Sequence, residues 1–359
     1  AEQSRAEQSR AEQSRAEQLS ICRYDGLDIL KSICAFLIVC IHCPFPGETG
    51  QYIVAFARIA VPIFFMITGF FYDGTVRRNS VGKQIRKMVG LVIAANVLFF
   101  IWKLLLAMHS GVSVIGFLQD TTTVKAILKF IALNESPFNS HLWYLGAILY
   151  VLIIYAVADR LHVRKLLYII TPVLLVGDLV LGKYSLVLLG REFPYIIVRN
   201  FLFVGIPYFT IGCLLKQHEN WIKEHGKEGT LIGLAILFTA TTILERYVLV
   251  SIDMNPTRDH YISSTLLAVA VFVIAVKGIG LFGRKDRATG VLSTIGRKYS
   301  TWVYIIHPIF ITVLAAIMSK LGAYGAYQFI APIAVYLVTI VFVAFVFEIR
   351  RRTAEVVRK

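Results

Sequence analysis

Apolar residues recur along this chain in runs close to the length that crosses a bilayer, separated by short polar stretches. A helix of about 20 residues spans the hydrocarbon layer. Ten such runs stand out, at roughly 27–43, 52–72, 88–108, 142–158, 166–181, 197–215, 230–249, 262–282, 300–318 and 328–348. The first and fifth are short. The pattern predicts an all-α, polytopic integral membrane protein of about ten transmembrane helices. No A-x-A-like site follows the first run, so no cleavable signal peptide is expected. Residues 1–18 break the pattern: three copies of Ala-Glu-Gln-Ser-Arg, then Ala-Glu-Gln. This charged, low-complexity stretch reads as an appended or solvated extension. Residues 19–359 read as one transmembrane domain, with no linker and no soluble module inside it. The longest external connection, 109–141, contains an amphipathic stretch, Val124–Leu133, expected on the membrane surface.

Charge orients the spans. Loops 73–87, 159–165, 216–229, 283–299 and the tail from 349 carry 21 Lys and Arg, and the alternate loops, with Arg246 added, carry 7. Positively charged loops stay inside, so both termini are expected in the cytoplasm. The net charge of +15 needs no nucleic acid, because most of the excess faces anionic headgroups. No basic patch interleaved with aromatics is present. Cys22, Cys34, Cys40, Cys43 and Cys213 all lie in or beside apolar runs and read as small hydrophobes. One C-x-x-C around His42, with no second cluster, is not a metal motif, and no metal is expected.

Ionisable groups inside a span are costly; they face a protein interior or a watery cavity and mark function. In the first run Lys31 and His42 lie eleven residues apart, hence on one helical face and about 16 Å apart along the axis. Asp28, one turn before Lys31, can hold that ammonium in place. In the second run Arg58 shares a stripe with Pro62, Phe65 and Gly69. Pro62 frees a backbone carbonyl, and Gly69 admits close helix contact. Arg58 either snorkels outward or lines the cavity that His42 faces. Lys83 and Arg86, one turn apart at the foot of the third run, suit phosphate groups or simply orient the loop. His141 and Trp143 open the fourth run, Arg199 is a second Arg inside the sixth, and His307 stands before Pro308 in the ninth.

These motifs, in order, resemble the acyltransferase-3 family of integral membrane acyltransferases. Asp28, Lys31, ten residues and His42 match its first-helix Arg-x10-His pattern, with Lys31 departing from the Arg: it keeps the cation and loses the bidentate fork. Arg58 followed by Val-Pro-Ile-Phe-Phe and Thr-Gly-Phe resembles its second helix. Lys83-x-x-Arg86 resembles its Arg-x-x-Arg pair, and His141-Leu-Trp-Tyr-Leu145 and Tyr304-Ile-Ile-His-Pro308 also fit. The wording leans toward the membrane domains of vancomycin-resistance serine racemases, whose soluble racemase domain is not in this sequence.

The resemblance implies transfer of an acyl group, normally acetyl from acetyl-CoA in the cytoplasm, to a hydroxyl of an envelope glycan or similar acceptor, at a bacterial cytoplasmic membrane. On that basis His42 is expected to be catalytic, as general base. Lys31, Lys83 and Arg86 are expected to hold the acyl-CoA, and Arg58, His141, Trp143, Arg199 and His307 the acceptor. A transporter of a small polar solute such as serine is the competing class, since transporters also bury Arg and His; no repeat between the halves of the chain favours it.

Overall fold

A computed structural model describes residues 24–357. The 1–18 repeat and Cys22 lie outside the described residues. Every regular element among those described is helical: α1 Asp25–His42, α2 Gly47–Ala57, α3 Ala60–Phe70, α4 Tyr72–Arg77, α5 Val81–His109, α6 Val114–Thr121, α7 Val124–Leu133, α8 Trp143–Arg160, α9 Arg164–Leu181, α10 Ser185–Leu189, α11 Ile206–Gln217, α12 Glu219–His225, α13 Glu228–Ser251, α14 Ile262–Lys277, α15 Arg287–Thr294, α16 Ser300–Lys320, α17 Tyr324–Tyr327 and α18 Ala331–Val357.

Each of the ten expected runs is helical, but six helices are both long and apolar enough to cross a membrane: Gly47–Arg77, Val81–His109, Ser140–Arg160, Glu228–Ser251, Arg287–Lys320 and Ala331–Glu355. The others fall short for visible reasons. α1 carries Asp25, Asp28 and Lys31, and α9 carries Arg164, Lys165 and Asp178. Phe201–Gln217 and Ile262–Lys277 are apolar but shorter. Buried polar side chains are tolerable in α1 because protein surrounds it. Leu27, Leu30, Cys34, Ala35, Ile38, Val39 and Cys40 are all at 1 % exposure or less. The outer helices α5, α13 and α18 instead expose rows of Ile, Leu, Val and Phe, the belt expected against lipid. The protein is an integral membrane protein.

The second run is not one straight rod. α2 ends at Ala57 and α3 begins at Ala60. Pro62 has no N–H to offer the carbonyl four residues back, that of Arg58, and the helix steps there. Gly69 lets α3 touch α11: a Cβ at Gly69 would stand 2.0 Å from the Phe209 carbonyl oxygen, and one at Gly212 would stand 2.1 Å from that of Met66. The amphipathic Val124–Leu133 forms α7 as expected. The Thr123 hydroxyl accepts from the Ala126 N–H, and Asn134 ends the helix at φ 55°. Asn134 is buried; its amide donates to the Trp143 carbonyl (3.0 Å) and accepts from the Phe201 N–H (3.2 Å). This surface helix is thereby fastened to the starts of two spans. Cys34, Cys40, Cys43 and Cys213 are free thiols.

Candidate active site

Three imidazoles from three helices meet in one cluster. The ring centroids of His42 and His307 are 5.2 Å apart, those of His141 and His307 5.4 Å, and those of His42 and His141 6.1 Å. His42 is the last residue of α1, His141 sits in the turn opening α8, and His307 lies in the middle of α16. His141 and His307 are buried, at 1 % and 0 % exposure, whereas His42 is exposed within the cavity mouth. Of the three, His42 is the exposed residue.

The two buried rings have fixed tautomers. Pro308 deprives the Tyr304 carbonyl of its helical donor. The His307 Nδ1–H takes that place, donating to Tyr304 O (2.8 Å) and Val303 O (3.1 Å). The His141 ring faces the Ile305 carbonyl through Nε2 at 3.0 Å. A carbonyl oxygen only accepts, so that nitrogen carries the proton. His307 Nε2 and His141 Nδ1 are left as buried acceptors with no hydrogen-bond partner among the described residues. The Tyr304 hydroxyl donates to the His141 carbonyl and braces the turn.

His42 opens onto a cavity of about 30 Å³, lined also by Arg58, His141, Trp143, Arg199 and Tyr304, with Asp259 and His260 from the loop before α14. Arg58 is ion-paired with Asp259. Burial pushes the Asp259 carboxyl up, but Arg58, then His260 and Arg199, outweigh it and hold it at about 2. Asp259 therefore stays an anion, and Arg58 has the counter-charge that a cation in this position requires. The His260 Nδ1 meets the Asp178 carboxylate at 2.7 Å. Arg199 lies over the rings of Tyr195 (4.4 Å) and Trp143 (5.7 Å). Its loop is set by Asn200, whose side chain accepts from the N–H groups of Leu202 and Phe203 and donates to the carbonyls of Ile196 and Ile197.

His42, Arg58, His141, Trp143 and Arg199 thus surround one space, with His307 packed behind His42. Lys31 is at the other end of α1, where its ammonium meets Asp28 at 3.0 Å. Lys83 and Arg86 are exposed on the first turns of α5, and no contact joins them to Lys31 among the described residues. Asp259 and His260 were missed by sequence reasoning. The available signal was Arg258-Asp-His260, three polar residues at the end of a short loop just before an apolar run. Among the described residues no group of three or more His, Cys, Asp or Glu could hold a metal ion.

The model of an acyltransferase domain matches residues 24–349. The chain belongs to the acyltransferase-3 family. A curated relative, an amino-acid racemase of Enterococcus faecalis, is 27% identical over 304 residues, covering 78% of this chain and 39% of the relative. The chain therefore spans well under half of that protein. No solved structure matches. Family membership agrees with what the geometry offers: a reachable imidazole, backed by two buried rings of fixed tautomer, beside paired charges in a closed space.

Proposed function

We propose that the protein transfers an acyl group, acetyl in the first instance, from cytoplasmic acetyl-CoA to a hydroxyl of an envelope glycan or similar acceptor at the bacterial cytoplasmic membrane. The observation that carries this reading is the His42 ring, exposed to the cavity while His141 and His307 are buried around it. As general base, His42 accepts the acceptor's hydroxyl proton while the oxygen attacks the thioester carbonyl. The C–O bond forms, the C–S bond breaks, and coenzyme A leaves as thiolate to take up a proton. The unpartnered His307 Nε2 and His141 Nδ1 suit a supporting role, accepting from His42 or from the hydroxyl. Trp143, Arg58 and Arg199 would line the acceptor's side.

Lys31, Lys83 and Arg86 would serve the donor's phosphates from the cytoplasmic side, with both chain termini on that side. The thioester must then travel about 16 Å along α1 from Lys31 to His42, a task for the flexible arm of coenzyme A. The test is release of free coenzyme A from acetyl-CoA by the purified protein, read with a thiol reagent. Release that requires both a hydroxyl acceptor and His42 supports transfer. Solute accumulation in proteoliposomes without coenzyme A release would favour the transporter reading.

A further inference from the structure

Beyond Arg58, away from the imidazoles, lies a second cavity of about 100 Å³ whose walls are strongly cationic. Arg58 borders both spaces. Lys183, Arg246 and Arg258 complete the second, together with Asn255 and Tyr261. These three cations are 4 %, 6 % and 7 % exposed, and Lys and Arg are rarely buried so deeply.

Their partners compensate the charge only in part. The Lys183 ammonium donates to Asn255 Oδ1 (3.1 Å) and to the Pro256 carbonyl (2.9 Å), both neutral, and lies 4.5 Å from the Tyr261 ring centre. Arg246 reaches Glu48 (3.0 Å) and Arg258 reaches Glu192 (3.3 Å), but those glutamates are 75 % and 48 % exposed. Their charge is shared with solvent, while the guanidinium groups are not. Arg246 Nη1 and Arg258 Nε are buried and have no hydrogen-bond partner among the described residues. The Asp259 carboxylate, which acts on Lys183 through charge, is paired with Arg58. Burial first, and then the proximity of Arg58, Arg258 and Arg246, pulls the Lys183 ammonium down to about 7.

We infer that this cavity binds an oxyanion, a carboxylate or a phosphate, of a molecule whose hydroxyl lies at His42. On the transferase reading, on which this step rests, the acceptor is therefore an anionic hydroxyl compound such as a uronic acid unit or a polyol phosphate. Its charged group sits among Lys183, Arg246 and Arg258, and Arg58 marks the boundary between charge and reacting oxygen. The two unpartnered guanidinium N–H groups and the ammonium are donors of the kind that make charge-assisted bonds to carboxylate or phosphate oxygen.

The test is binding, so that it stands apart from turnover. The purified chain in detergent is titrated with glycerol 3-phosphate and glucuronate, and with glycerol and glucose as their uncharged counterparts, following thermal stability. Expected is a saturable rise in melting temperature with one or both anions and none with glycerol or glucose. Lys183→Met and Arg246→Gln should each weaken that binding about tenfold or more. A response to phosphate alone or to carboxylate alone identifies the oxyanion. Equal responses to charged and uncharged compounds, or anion binding unchanged in both folded variants, would overturn the inference. The wild-type comparison decides even if a variant does not fold. Anion binding without acceptor-dependent coenzyme A release would instead count against the transferase reading and leave the anion site standing.

Discussion

At the scale of single residues, the determining feature is charge placed where it is costly. Arg58 and Asp259 form a shielded pair, and removing one partner of such a pair leaves the other charge buried and unpaired, at about 3–5 kcal/mol. Asp259→Ala is expected to destabilise by that order in detergent unfolding. Arg58→Met combined with Asp259→Leu should recover much of the loss in stability while leaving the protein inactive. A double variant no more stable than Asp259→Ala would show that the pair is not the source. Lys183 makes a separate, pH-dependent statement. It titrates near 7 in the folded protein against 10.5 ordinarily. Between those values the unfolded chain holds a proton that the folded chain has released, so stability rises with pH across that window. Below it the folded state bears the full burden of a buried ammonium among Arg58, Arg246 and Arg258, offset in part by Asp259. Lys183→Met should therefore gain melting temperature relative to wild type at pH 6, and that advantage should shrink steadily as pH rises from 7 toward 10.5. A difference independent of pH would refute the assignment.

At the scale of elements, close packing decides what the helices tolerate. α3 and α11 cross where Gly69 and Gly212 each face a carbonyl oxygen at a distance no Cβ can occupy. Overpacking typically costs about 1–3 kcal/mol, and a backbone clash leaves little room for relief. Gly69→Val is expected to lose most of its monodisperse peak in size-exclusion chromatography. Gly90→Ala in α5, which meets nothing within 4 Å, should not. How much of this was legible in the sequence differs by element. Arg58, His42 and His307 announced themselves because an ionisable residue inside an apolar run contradicts its surroundings. The step at Arg58–Ile59 was foreshadowed by Pro62. Lys183, Arg258 and Asp259 gave no such signal, because charge is ordinary in loops and their burial arises only when the 182–196 and 252–261 segments close on each other. The π-helical turn at Phe201–Gly205 is capped locally by Asn200, which joins the carbonyls of Ile196 and Ile197 to the N–H groups of Leu202 and Phe203, a detail that hydrophobic periodicity does not encode.

At the scale of the whole molecule, the charge asymmetry of the loops predicts the orientation on which the proposed donor and acceptor sides depend. Single cysteines placed at Val112 and Lys285, both exposed, in a background lacking the native thiols, should differ toward a membrane-impermeant maleimide in intact cells. Val112→Cys should react and Lys285→Cys should be protected until the membrane is opened. The reverse would invert the topology and move the imidazole cluster to the cytoplasmic side. The cluster draws on α1, α8 and α16, elements far apart in the chain. It exists only because α1 is wrapped on all sides, and this also explains why so short and charged a helix can stand within the membrane domain.

The most direct test of the central claim is the rate of coenzyme A release by His42→Gln. The glutamine keeps a hydrogen-bonding group at an exposed residue, and it cannot take a proton. General-base catalysis contributes about 10²–10⁴-fold. Acceptor-dependent release should therefore fall at least about 100-fold while melting temperature and acetyl-CoA binding stay near wild type. Turnover close to wild type in His42→Gln would contradict the assignment and shift the base to His307 or His141.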